Sequence, residues 1–225
     1  MSDSRYYLDR LYPLQNDVLR ILEKHARGKF YLTGGTALSR FYFQHRYSDD
    51  LDFFSVKDME GFRGAVHSLL RRFSDNGLVV EVESFSDTFL RAAVQRDAVR
   101  LKVDFVNEMT FRFGESKDFP LFKFVDNELN ILANKLTAIS RYEVKDLADI
   151  WVLSKHLKFS WRDIIDIANK KSPTDPLEVS KVIQSLPREE LRLIKWVSDE
   201  NPEAVHAGLQ VIAEDVLMGR RNSLS

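Results

Sequence analysis

Apolar residues recur at Leu14, Val18, Ile21 and Leu22. That spacing predicts a helix from Pro13 to Ala26, with Pro13 suited to the first turn. The run Phe30-Tyr31-Leu32-Thr33 is short and almost wholly apolar, and Gly34-Gly35 stops it, so it reads as a buried strand. Thr36 to Gln44 returns to helical spacing, with Leu38, Phe41 and Tyr42 inward. Asp50 to Ser55 alternates carboxylates with large apolar residues and predicts a second strand. Lys57 to Asn76 reads as an amphipathic helix closed by Asn76-Gly77. Leu78 to Phe85, Thr88 to Gln95 and Val99 to Val106 read as three strands. The turns Ser86-Asp87 and Arg96-Asp97 between them predict an antiparallel meander.

After Pro120 the pattern becomes helical throughout. Helices are predicted over Asn127 to Arg141, Glu143 to Leu157, Trp161 to Lys170, Pro176 to Leu186, Arg188 to Ser198 and Pro202 to Met218. Gly219 is placed to end the last one. An α+β part, residues 1–118, is therefore expected to precede a helical domain, residues 119–225. With 44% hydrophobic and 30% charged residues, the composition is that of an ordinary globular protein. The net charge of −1 supplies no global field toward nucleic acid, so any such contact needs a local patch. Cysteine is absent, which excludes disulfides and zinc–thiolate sites. The N-terminal residues lack the apolar core of a signal peptide, and no apolar run approaches the roughly 20 residues that span a membrane. A cytoplasmic protein is the expectation.

The chemistry concentrates around Asp50 and Asp52. Two apart on a strand, they project from one face, while Leu51 and Phe53 project from the other. Asp is disfavoured in strands, and a same-face pair meets the needs of Mg²⁺, which commonly takes one or two carboxylates plus substrate phosphates. The same alternation also fits a solvated strand face. In Val99-Arg100-Leu101-Lys102-Val103-Asp104-Phe105-Val106, Asp104 lies opposite the apolar positions, in line with Arg100 and Lys102. If this strand neighbours the Asp50 strand, the three acids converge, and a cation would relieve their repulsion. Gly34-Gly35-Thr36 is the phosphate candidate, since glycine permits close approach and a helix start presents free N–H groups. Thr36 can cap that helix or donate to a phosphate oxygen. Arg46 can bind a phosphate or hold Asp49 or Asp50, and Ser48 can hydrogen-bond the loop backbone. The Phe-rich stretch from Phe105 to Phe124 reads as packing. His25, His45, His67, His156 and His206 share no ligand spacing and receive no catalytic role.

The order Gly34-Gly35-Thr36-Ala37-Leu38, then Arg46-x-Ser48-x-Asp50-Leu51-Asp52-Phe53-Phe54, resembles the AbiEii/AbiGii-type toxin family, a branch of the polymerase-beta-like nucleotidyltransferases. The resemblance covers roughly residues 30 to 155. It extends to a third acid, Asp104, to a helical Lys135, and to Lys145-Asp146-Leu147-Ala148-Asp149. It implies a mixed sheet flanked by helices, followed by a C-terminal helical bundle that closes the active-site cleft. It also implies transfer of an NMP group from an NTP, dependent on Mg²⁺ or Mn²⁺, to RNA (tRNA among the acceptors) or to protein. A toxin paired with an antitoxin, or a phage-defence role, comes with it.

Within that frame Asp50 and Asp52 hold the metal. Asp104 completes a second site or serves as general base. The glycine turn and Lys135 hold phosphates. Lys135 falls in the apolar stripe of Leu132, Leu136 and Ile139, where an ammonium needs water or an anion. Asp146 and Asp149 share a helix face. Asp146 can orient Lys135 or Arg141, position the nucleotide or acceptor, or simply favour the helix start. The competing expectations are a fold that binds nucleotide without turnover and a purely structural interaction protein.

Overall fold

The computed structural model describes residues 3–55, 61–107 and 111–225. Packing divides the chain into two units that are not consecutive stretches. One comprises residues 1–41, 47–110 and 115–126, and the other residues 42–46, 111–114 and 127–225.

The first unit begins with α1 (Asp3–Tyr6), a π-helical stretch Tyr7–Leu11, and α2 (Tyr12–His25). Five strands follow: β1 (Phe30–Thr33), β2 (Asp50–Ser55), β3 (Val79–Phe85), β4 (Phe89–Arg96) and β5 (Val99–Val106). Between β1 and β2 lie α3 (Gly34–Ala37) and a π-helical stretch Leu38–Tyr42. Between β2 and β3 lies α4 (Phe62–Asp75). The expected start of that helix at Lys57 lies outside the described residues. The sheet order is β1-β2-β5-β4-β3. The expected meander β3-β4-β5 is present, and β5 pairs parallel with β2 while the other neighbours are antiparallel. The chain returns from β2 to β5 through α4 and the meander, and that return makes the parallel pair possible.

Alternation decides the two faces of the sheet. Leu51 and Phe53 of β2, and Val103 and Phe105 of β5, are fully buried. Phe53 and Phe105 are register partners, and their rings stack at 5.4 Å. α2 packs against both α4 and β5, burying Leu14, Val18, Leu19 and Leu22. The next residues along β2 and β5 therefore have to face the other way, and these are Asp50, Asp52, Lys102 and Asp104.

The second unit is helical: α5 (Glu128–Thr137), α6 (Val144–His156), α7 (Trp161–Asn169), α8 (Pro176–Gln184) and α9 (Pro202–Met218). Asn127, Asp175 and Asn201 cap α5, α8 and α9 by accepting a backbone N–H within the first turn. Gly219 ends α9 at φ 60°, as its position predicts. The core gathers Ile131, Leu132, Leu147, Leu153, Trp161, Val179, Ile183, Leu209 and Ile212. The helix expected over Arg188 to Ser198 is shorter and tighter, a 3₁₀ turn of Arg188–Leu193. Within that turn Leu191 is buried, whereas Leu193 is 75% exposed, so the segment has no apolar stripe to extend it. The short segment 42–46 joins this unit through backbone pairing, with the His45 carbonyl accepting from Val197 N at 3.0 Å.

Candidate active site

Parallel pairing sets Asp52 opposite Asp104 and Asp50 opposite Lys102. β4 sets Arg91 opposite Asp104. The three acids therefore share one face of two adjacent strands. Two cations stand among them. Arg91 donates to both oxygens of Asp104, at 2.8 Å from Nε and 2.7 Å from Nη2. Lys102 Nζ lies 3.0 Å from Asp50 Oδ2. The hydrogen bond to Asp104 raises the Arg91 guanidinium above its ordinary value. Burial pulls the Lys102 ammonium down, but Asp50, then Asp104 and Asp52, bring it above its usual value. Asp49 belongs elsewhere, hydrogen-bonded by the Tyr7 hydroxyl, and the Tyr7 ring stacks on Tyr47 at 4.5 Å.

Gly34 has φ +72°, a backbone region that side chains rarely adopt. A Cβ built there would stand 2.8 Å from Asp52 Oδ2. The turn is thus glycine for two reasons, its own conformation and the carboxylate beside it. Gly35 continues the turn. Thr36 is fully buried, and its hydroxyl lies 2.5 Å from the Asp50 carbonyl and 2.7 Å from Ser48 Oγ. Gln15 Nε2 adds bonds to the carbonyls of Ser48 and Asp50, at 3.1 and 3.4 Å. Thr36 and Ser48 therefore anchor the start of β2, and Thr36 does not cap α3, whose N-cap residue is Thr33.

The donor set suits a hard divalent cation such as Mg²⁺ or Mn²⁺, because it is all carboxylate oxygen on one sheet face. Gly34 lets the Asp52 carboxylate lie where a side chain would otherwise stand. Among the described residues no three acids or imidazoles are gathered closely enough to hold a metal ion by themselves. Arg91 and Lys102 hold the outer two acids.

A second polar cluster lies inside the helical unit. Asp149, fully buried, accepts from Arg46 Nε at 2.7 Å and Nη2 at 2.8 Å, and from His45 Nε2 at 2.7 Å. Lys135 Nζ lies 2.7 Å from Asp149 Oδ2 and 2.7 Å from Asp146 Oδ1. Burial alone would push the Asp149 carboxyl up, but Arg46 and Lys135, with hydrogen bonds from His45 and Arg46, hold it well below its ordinary value. Burial likewise pulls Lys135 down, and Asp149 and Asp146 bring it above the usual lysine value. Asp146 both contacts Lys135 and sits in the first turn of α6, where an acid favours the helix start. Arg46 holds Asp149, and residues 42–46 fold with the helices. Lys145 lies exposed in the first turn of α6.

Sequence reasoning missed His45, Arg91 and Lys102 as members of these clusters. Lys102 carried a signal, its position two residues before Asp104 on the same strand face. His45 carried only its place beside Arg46, and Arg91 carried none, because its partner is set by the β4–β5 register.

Residues 18–194 match the family described as Nucleotidyl transferase AbiEii toxin, Type IV TA system. The chain belongs to the AbiEii nucleotidyltransferase family. Two solved structures share the fold of this AbiEii chain. JHP933 from Helicobacter pylori is 20% identical, with TM-score 0.64, covering 97% of this chain and 94% of its own. MenT4, a nucleotidyltransferase toxin from Mycobacterium tuberculosis H37Rv, is 16% identical, with TM-score 0.62, covering 96% and 88%. No curated protein sequence matches. The α+β fold with a helical C-terminal region is the one expected for an AbiEii protein. No described helix of it is long and apolar enough to cross a membrane.

Proposed function

We propose that this AbiEii chain transfers an NMP group from an NTP to an acceptor hydroxyl, on RNA such as tRNA or on protein, using Mg²⁺ or Mn²⁺. The observation that carries the reading is the parallel β2–β5 register, which sets Asp52 against Asp104 with Asp50 on the same face, beside a glycine turn against which the Asp52 carboxylate lies. Bound there, a divalent cation would offset the charge of the triphosphate and of the departing pyrophosphate. Asp50 and Asp52 are its ligands in this reading. Asp104 either completes the ligand set or takes the proton of the attacking hydroxyl. The acceptor oxygen bonds to the α-phosphorus, the bond from that phosphorus to the β-phosphate oxygen breaks, and pyrophosphate leaves with the electron pair.

The Gly34-Gly35 backbone is assigned to the phosphates. Thr36 and Ser48 position Asp50 through the backbone of β2 rather than touching nucleotide. Lys135 is the candidate phosphate-facing cation of the helical unit. An ammonium has three N–H groups, Asp146 and Asp149 take two of them, and their charge keeps it protonated. The family description supports a toxin with a cognate antitoxin, and hence a toxin–antitoxin or phage-defence role.

The test incubates the protein with each labelled NTP, Mg²⁺ or Mn²⁺, and total RNA or total protein. Labelled product that disappears in Asp50→Ala and Asp52→Ala supports the reading. Tight NTP binding with no transfer to either acceptor pool refutes it in favour of a nucleotide-binding protein without turnover.

A further inference from the structure

The helical unit carries a groove of about 690 Å³ that the proposed chemistry does not use. Its lining includes Lys158, Phe159, Arg162 and Arg221, together with the carboxylate of Asp163. The volume lies within the range of ligand sites. Lys158, Arg162 and Arg221 are exposed, and no carboxylate among the described residues forms an ion pair with any of them. By contrast, Arg46 and Lys135 in the same unit are both buried against acids. Three cations against one side-chain carboxylate around one concavity, in a chain of net charge −1, form a net positive local patch of the kind that nucleic-acid contact would need here.

The groove is held by backbone rather than by loose side chains. Trp161 N donates to the Arg220 carbonyl at 2.9 Å, and Asn222 N donates to the Phe159 carbonyl at 2.9 Å. Ser160 and Arg221 form an antiparallel bridge between these bonds. Buried Asn222 fastens the same strip by donating to the carbonyls of Ser154 and Leu157, at 2.7 and 2.8 Å. Arg162 lies over Gly219, its Nε 3.7 Å from where a Cβ would stand. Phe159 sits edge to face with Trp161, centroids 4.9 Å apart, which fixes its ring.

We infer that this groove binds the phosphodiester backbone of single-stranded RNA, with Phe159 available for base stacking. The inference rests on RNA being the acceptor class. Phosphate recognition follows from the unpaired guanidinium and ammonium groups, and a fixed aromatic beside them is the combination that single-strand sites use. An acidic polypeptide would satisfy the charges but would leave the ring without a role.

The experiment measures anisotropy of a labelled single-stranded RNA across a salt series without NTP, so binding is read independently of transfer. Arg162→Glu/Arg221→Glu is expected to weaken binding at least about tenfold. It should also reduce the slope of log K against log salt by roughly 1.4, about 0.7 for each lost single-strand phosphate contact. Lys181→Glu/Arg192→Glu, an equal charge change at exposed positions of the same unit, is expected to leave the slope unchanged. Should the first pair misfold by circular dichroism, Arg162→Gln and Arg221→Gln are measured singly, each expected to reduce the slope by roughly 0.7. Equal losses in both double variants, an unchanged slope, or binding of polyglutamate as tight as that of RNA would overturn the inference. RNA binding that follows these expectations in a protein that transfers nothing would keep the groove and remove the enzymatic reading. Transfer to protein without RNA binding would do the reverse.

Discussion

Asp149→Asn removes the charge at the centre of the helical unit's buried cluster while nearly preserving shape. The carboxylate is fully buried and serves Arg46 bidentately, Lys135 and His45. The amide keeps one acceptor oxygen and turns an NH₂ donor toward groups that are themselves donors. Lys135 retains Asp146, so the larger loss falls on Arg46. Breaking a buried ion pair from one side costs about 3–5 kcal/mol, because the remaining charge stays buried. At roughly 2–4 °C per kcal/mol for a chain of this size, the melting temperature should fall by roughly 6–20 °C. Asp146 is partly exposed, at 23% for its side chain, and Asp146→Asn leaves Lys135 with Asp149, so it should cost only about 1 kcal/mol.

Urea denaturation at pH 7, followed by circular dichroism, reads both variants. The pH dependence supplies a second readout of the same cause. Asp149 is held well below its ordinary value, so its stabilisation is full above the unfolded carboxyl pKa of about 3.9 and declines as pH falls through the folded value. The gap between wild type and Asp149→Asn should therefore be constant from about pH 5 to 7 and shrink below about pH 4. An Asp149→Asn variant within about 1 kcal/mol of wild type at pH 7 would refute the claim that this carboxylate compensates buried cations.

Gly34→Ala forces an alanine into a positive φ and places its Cβ against Asp52. It should cost about 1–3 kcal/mol of stability and reduce transfer, and wild-type melting and turnover would count against the turn geometry. Arg91→Gln removes the cation that holds Asp104. Mn²⁺ binding read by electron paramagnetic resonance should tighten, whereas unchanged affinity would show that Arg91 does not compete for that carboxylate. Thr36→Val deletes the hydroxyl that holds the Asp50 carbonyl and Ser48. A loss of about 1–3 kcal/mol is expected in urea melts, and a neutral variant would refute the anchoring role. Lys135→Met should raise the KM for NTP more than it lowers kcat if the ammonium holds phosphate in the ground state, and a change confined to stability would make the lysine structural.

The pattern along the chain determined which residues face which way. Alternation in Asp50 to Ser55 and Val99 to Val106 placed the acids opposite the buried Leu51, Phe53, Val103 and Phe105, because a strand's side-chain period is two. The Gly34-Gly35 turn, the helical second half and the family motifs were legible for the same reason, being local in sequence. A lysine in the stripe of Leu132 and Leu136 announced that a counter-charge was needed, with Asp146 among the candidates, but did not show that the buried Asp149 supplies the other. Tertiary structure decided the partners. The parallel β2–β5 register, which pairs residues some 50 apart such as Asp52 and Asp104, depends on the whole return path through α4 and the meander. Arg46 and Asp149, 103 residues apart, meet because the segment 42–46 packs with the helices. Such pairings are set by which surfaces bury together, and no spacing along one stretch of chain encodes them.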